Sequence, residues 1–148
     1  GVNDAPVLTP ATPSFTTIDE DATTNAGDTV SSLLGASVND VDTGAPAGIA
    51  VTGLNNGNGT WQFSTDGGGN WSDVGAVAGN SALLLRATDS LRFVPNGENG
   101  TSADVTYRAW DQNSGSAGTK VDASTNGGTT AFSSATDTGR HGRRNRLH

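Results

Sequence analysis

The side chains best suited to chemistry in this chain are carboxylates gathered on short acidic loops. Asp19-Glu20-Asp21 follows an apolar run, Asn39-Asp40-Val41-Asp42 sets two carboxylates at alternate positions, and Asp111-Gln112-Asn113 ends a second run. Asn3-Asp4 adds a fourth polar group near the first residue. In extended backbone alternate side chains share one side, so Asp40 and Asp42 aim their carboxylates the same way. Calcium draws roughly six to eight oxygens from mixtures of this kind. The alternative is that these loops are acidic only because they are solvated. A lone Asp-x-Asp does not separate the two readings, whereas its recurrence with other acidic loops favours a cation.

Other chemistries are poorly supplied. The histidines are His141 and His148, both in the basic tail, and the chain has no Cys. Without them in the body there is no Cys-His dyad, no Ser-His-Asp triad and no structural zinc site. Two carboxylates suffice for glycoside hydrolysis, yet no aromatic cleft singles out one pair among the 15 acidic residues. A non-enzymatic role is expected. Ser64-Thr65-Asp66-Gly67-Gly68-Gly69-Asn70-Trp71 resembles the Asp-box of sialidases and other β-propeller proteins, Ser-x-Asp-x-Gly-x-Thr-Trp, with Asn70 in place of Thr. That resemblance implies a structural part, in which Asp66 caps a hairpin turn and Trp71 packs beneath it. One copy does not make a propeller.

Strands must position these loops. Strand-length runs occupy residues 15–18, 49–54, 60–64, 71–74, 82–85, 91–94, 105–110, 119–121 and 129–132. Ile49 and Val51 share one face of their run, as do Trp61 and Phe63. Helical periodicity is absent apart from residues 30–34, which fit one short turn with Asp28 as its N-cap. Asn55-Asn56-Gly57-Asn58-Gly59, Asp66-Gly67, Pro95-Asn96-Gly97 and Asn126-Gly127-Gly128 supply the positive-φ positions of tight turns. About eight to ten short strands with little or no helix predict an all-β, immunoglobulin-like sandwich. An apolar content of 32% with 21 Gly is lean for a globular protein but ordinary for a turn-rich β domain, and 148 residues suit one domain.

Charge narrows the partners. All 15 acidic residues precede position 140, against Arg86, Arg92, Arg108 and Lys120, while Arg140, Arg143, Arg144 and Arg146 crowd the end; the net charge is −7. Such an acidic body repels nucleic acid and anionic membranes and suits divalent cations. No run approaches the roughly 20 apolar residues of a spanning helix. The lack of Cys fits a cytosolic protein or a bacterial exported one stabilised by metal.

Val2-Asn3-Asp4-Ala5-Pro6-Val7 is similar to the joint between cadherin-like tandem repeats of very large bacterial surface proteins, the VCBS/RTX-type adhesins and biofilm-associated proteins. Ile18-Asp19-Glu20-Asp21-Ala22, Val38-Asn39-Asp40-Val41-Asp42-Thr43, residues 60–68, Leu91-Arg92-Phe93-Val94-Pro95 and residues 105–111 resemble the internal signature of the same repeats, in order. The resemblance implies a cadherin-like sandwich with calcium at the junction between consecutive modules. It puts Asn3, Asp4, Asp40 and Asp42 at the N-terminal end, with Asp111 joining them, and Glu20 at the opposite end. Asp19 and Asp21 flank Glu20, and which of the three points inward stays open; Asp89 is a weaker candidate.

The expected division is a linker over 1–7, a module over 8–138 and a disordered basic tail over 139–148. The family pattern has one more apolar strand where that tail stands, so the last strand is expected to be missing or borrowed, through truncation or an altered reading frame. The implied function is a non-catalytic, calcium-binding repeat module of a secreted or cell-surface bacterial adhesin, serving adhesion or acting as a rigid spacer. Its partners are neighbouring repeats of the same polypeptide and cell-surface glycans or proteins, without nucleic acid or membrane insertion. An isolated module lacks its neighbours' ligands, so weak calcium binding is expected. The rival reading is a carbohydrate-binding module or a fragment of an extracellular glycan-processing protein, with Trp61, Trp71 or Trp110 as sugar platform. At strand spacing these tryptophans more readily serve the core.

Overall fold

A computed structural model describes residues 5–9, 27–34, 38–39, 47–55, 59–95, 102–112, 115–128 and 130–142. Along the chain these form β1 (Val7–Leu8), β2 (Asp28–Thr29), α1 (Val30–Leu34), β3 (Val38–Asn39), β4 (Gly48–Asn55) and β5 (Gly59–Ser64). There follow β6 (Ser72–Asp73), β7 (Ala82–Arg86), β8 (Ser90–Pro95), β9 (Ser102–Trp110), β10 (Lys120–Val121) and β11 (Asp137–Gly142). The fold is an all-β sandwich. One sheet runs β10-β7-β4-β9-β11, the other β2-β8-β5-β6, and β1 pairs with β3 alongside them; every pairing is antiparallel. Among the described residues no helix is long and apolar enough to cross a membrane.

Alternation explains the core between the sheets. Ile49 and Val51 of β4, Leu83 and Leu85 of β7, and Ala103, Val105, Tyr107 and Ala109 of β9 project inward onto Trp61, Val74, Leu91 and Phe93. Trp61 and Phe93 are direct register partners, packed edge to face with ring centres 5.4 Å apart. The Trp61 Nε1–H donates to Asn55 O at 3.0 Å, so the buried indole keeps its hydrogen bond. The spacing 49, 51, 54 breaks strict alternation, and a bulge between Val51 and Gly53 accounts for it. The bulge returns Leu54 to the inner face opposite Val105.

The five-stranded sheet is covered on its other face as well. Ala50, Ala82, Leu84 and Trp110 project there and are roofed by Ala123, Ala131 and Phe132. This explains why residues 82–85 are apolar without alternation: both faces of β7 are buried. Gly48 makes the arrangement possible. A Cβ there would stand 2.4 Å from Leu85 O and 3.0 Å from the Trp110 ring.

Several sequence expectations are corrected. The helical turn at 30–34 is present, but its cap is Thr29, whose Oγ1 accepts the Ser32 N–H at 3.2 Å, while Asp28 pairs in β2 with Leu91. The runs at 71–74 and 119–121 shorten to the two-residue strands β6 and β10. The run at 129–132 contributes a single bridge, Phe132 to Trp110. The run at 15–18 lies outside the described residues.

The largest correction concerns the end of the chain. A disordered tail was expected from 139 and a missing or borrowed last strand, yet Asp137–Gly142 pairs along β9 from Tyr107 to Ser102. The physical reason is that β9 offers an open edge of backbone donors and acceptors, which any extended segment can satisfy without apolar side chains. Upstream the segment already follows β9. Ser133 N donates to Ala109 O at 3.0 Å, and Ser133 Oγ accepts the Ala109 N–H at 2.9 Å.

Gly48→Ala is expected to destabilise the domain by about 2 kcal/mol, through overpacking against backbone that cannot move aside. Gly79→Ala, where nothing lies within 4 Å of the added carbon, should be close to neutral. Urea unfolding midpoints of the two variants provide the check.

Candidate functional site

Asp111 closes β9 and is buried, with 3% of its surface exposed. Its N–H donates to Ala131 O at 3.0 Å. The next residue, Gln112, turns the chain at φ 63°, the sole non-glycine positive φ among the described residues, and its Nε2 donates to Ala47 O at 2.8 Å. The loop that receives Asp111 is closed by Gly127 N to Phe132 O (2.8 Å) and Thr130 N to Gly127 O (3.1 Å). Ala5 N donates to Gly128 O in that same loop at 2.9 Å. The β1–β3 pair is antiparallel with Val7 opposite Asn39, so the chain enters β1 and leaves β3 at one end.

Contacts link Asp111 to Ala47 through Gln112 and to Ala5 through the 127–131 loop, while Asn39 pairs with Val7, two residues past Ala5. Ala5 follows Asp4, Asn39 precedes Asp40, Ala47 follows the segment holding Asp42, and Asp111 is itself a candidate. Asn3, Asp4, Glu20, Asp40 and Asp42 lie outside the described residues, as do Asp19 and Asp21. Among the described residues, no group of three or more His, Cys, Asp or Glu is placed to hold a metal.

The chain matches no family model, no curated protein and no solved structure. Its own geometry is the ground for any assignment.

Asp89 is engaged within its own turn. It is buried, and its Oδ2 accepts the Arg86 backbone N–H at 2.6 Å while Oδ1 pairs with Arg86 Nη2 at 2.9 Å. Both carboxylate oxygens thus close the β7–β8 turn, with Arg86 Nη2 also reaching Thr65 O at 3.0 Å. The sequence hides this because a turn carboxylate and a ligand carboxylate look alike.

The Asp-box segment builds the turn expected of it. Asp66 Oδ1 accepts from Ser64 Oγ (2.7 Å) and Asn70 N (2.9 Å), Oδ2 accepts from Asn70 Nδ2 (2.7 Å), and Ser64 Oγ takes the Gly68 N–H at 2.9 Å. Asn70 therefore acts as a second brace of the turn. The same hydrogen bonds, led by the Asn70 backbone N–H, hold the Asp66 carboxyl down at about 2.

Of the three tryptophans, Trp61 and Trp110 are core, 0% and 2% exposed, and offer no platform. Trp71 is half-buried, and the Arg92 guanidinium lies 4.3 Å from the centre of its ring. Arg92 is held there by Gln62 Oε1, which accepts from Nε and Nη2 at 3.0 and 2.7 Å. A sugar stacking on that face must first displace a braced cation. An open cleft of about 370 Å³ lies beside Thr65, Arg86, Gln112 and Ser116, with an edge of Trp110 in its lining.

Asp66 supplies a pH test. Its folded pKa lies below the ordinary 3.8, so its stabilisation is complete above that value and is lost as pH falls through about 2. Asp66→Asn should lower the melting temperature at pH 7. The gap from the parent should narrow below pH 4 and close near pH 2, as followed by circular dichroism melts across that range.

Proposed function

We propose that this domain is a non-catalytic module of a tandem array, with calcium stiffening the joint where the chain enters it. The carrying observation is that contacts link Asp111 to Ala47 and to Ala5, the neighbour of Asp4, while Asn39, the neighbour of Asp40, pairs two residues past Ala5. Asp111 fits the role chemically, as a buried carboxylate that directly follows β9. On this reading Asn3, Asp4, Asp40, Asp42 and Asp111 serve the N-terminal joint, and Glu20 serves the far one.

The ion offsets repulsion among clustered carboxylates and fixes the angle between neighbours, so the array stays extended. The setting that suits this role is the exterior of a bacterial cell, as part of a secreted or surface adhesin. Calcium is a ligand here and takes part in no reaction. The other partners are the adjoining repeats, with glycans or proteins of a target surface met by the array as a whole.

The test is a tandem of two copies of this chain, melted with millimolar calcium and with a chelator, beside the single copy treated alike. Calcium is expected to raise the melting temperature of the tandem more than that of the single copy. The combined change Asp40→Asn with Asp42→Asn should abolish the difference. A tandem whose melting is indifferent to calcium rejects the joint. A glycan panel run in parallel addresses the carbohydrate-binding reading, which requires a shift with one sugar and none with calcium.

A further inference from the structure

At one end of the larger sheet, Arg86 closes β7 and Trp110 closes β9, and both pair with Gly48 at the start of β4. The open cleft of about 370 Å³ lies there, lined by these two with Thr65, Gln112, Ser116 and Ala117 among its walls. Its volume is at the small end of the range for ligand sites.

The polar residues of this lining are each anchored through one group and keep another in reserve. Arg86 commits Nε and Nη2 to Asp89 and to Thr65 O, yet its side chain stays 43% exposed, and Nη1 takes no partner among the described residues. Thr65 gives its carbonyl to Arg86 and sits between Ser64 and Asp66 of the capped turn; its hydroxyl is not engaged by any described residue. Gln112 spends Nε2 on Ala47 O and retains Oε1. Ser116 spends its carbonyl on the Thr119 N–H and hydroxyl and retains its own hydroxyl. Gln112 also carries the non-glycine positive φ of 63°, and residues held in sparsely populated backbone regions cluster at functional sites.

Charge selects the ligand. The Arg86 guanidinium is already balanced by buried Asp89, and Asp66 and Asp111 adjoin two of the lining residues, so an anion gains little here. A neutral hydroxyl suits the recess, because it can accept from the Arg86 N–H and donate to Gln112 Oε1. Trp110, 2% exposed, presents only a ring edge, which fits the rim of a sugar ring and not a stacked face.

We propose that this cleft binds one neutral pyranose unit at the end of a glycan, held by Arg86, Gln112, Thr65 and Ser116. The inference goes beyond the calcium joint and does not rest on it. It gives a single module its own contact with a glycan-bearing surface.

The test titrates the single full chain, with chelator present, with the methyl glycosides of glucose, galactose, mannose and N-acetylglucosamine, and follows backbone amides by heteronuclear NMR. Saturable shifts at residues 65, 86, 112 and 115–117 are expected with at least one glycoside, with a dissociation constant in the millimolar range. Methyl glucuronide should bind more weakly. Thr65→Val combined with Ser116→Ala removes two exposed hydroxyls, leaves the core untouched and should weaken binding about tenfold. Gln112→Gly, which accepts the same positive φ, serves as a second variant and should weaken binding likewise. Absence of saturable shifts, shifts centred elsewhere, tighter binding of the glucuronide, or unchanged binding by either variant overturns the proposal. With calcium chelated throughout, neither outcome bears on the joint.

Discussion

The pairing of β4 with β9 sits at the centre of the larger sheet, and both strands must satisfy an apolar layer on each of their faces. Inward, Ile49, Val51, Val105 and Tyr107 meet the second sheet; outward, Ala50 and Trp110 meet the segment carrying Ala123, Ala131 and Phe132. Such a sheet tolerates no ordinary residue at Gly48, where the Trp110 ring crosses the backbone. It also needs the bulge after Val51, without which Leu54 would face the wrong layer. The roofing segment is in turn what joins Asp111 to Ala5 through the 127–132 loop, so the candidate joint inherits its shape from the centre of the sheet.

Several buried polar groups are satisfied by close neighbours. Asp89 closes its own turn on Arg86, and Ser133 lends a hydroxyl to the Ala109 N–H where the partner segment bulges away from β9. Arg108 Nη1 clasps the carbonyls of Ser133 and Ser134 at 3.2 and 2.7 Å and pins the same bulge. The Asp89 and Arg108 contacts rest on a charged acceptor or donor, which makes the stronger class of hydrogen bond. They turn an irregular stretch of Ser, Thr, Asn and Gly into a third layer of the structure.

What the sequence made legible follows from range. The Asp66 turn was readable because capping is settled within seven residues, and the runs containing Ile49, Trp61, Phe93 and Tyr107 were readable because burial on one face leaves a period of two. The double burial of β7 was visible only as an apolar run, since its second face is covered by residues some forty positions later. Strand β11 left no trace in the pattern because its pairing is made by backbone. The positive φ of Gln112 left none because that conformation usually falls to Gly, Asn or Asp. For the candidate site, the acidic groups were legible as residue types, but their neighbourhood depends on pairings between distant segments. Asp89 shows the cost of judging a carboxylate before its turn is known.

The strand order β10-β7-β4-β9-β11 also has a temporal meaning. The smaller sheet and the β4–β7 pair can assemble from residues up to Pro95, but β9 lies between β4 and β11 and appears in the chain only from Ser102. The Thr52 hydroxyl meets its partner Thr106 across 54 positions. Until that stretch arrives, Ile49, Val51, Leu83 and Leu85 face the second sheet without the strand that completes their layer. Folding of this domain is therefore governed by a late, long-range closure, the kind of topology in which loop-closure entropy slows the search and leaves sticky strand edges waiting.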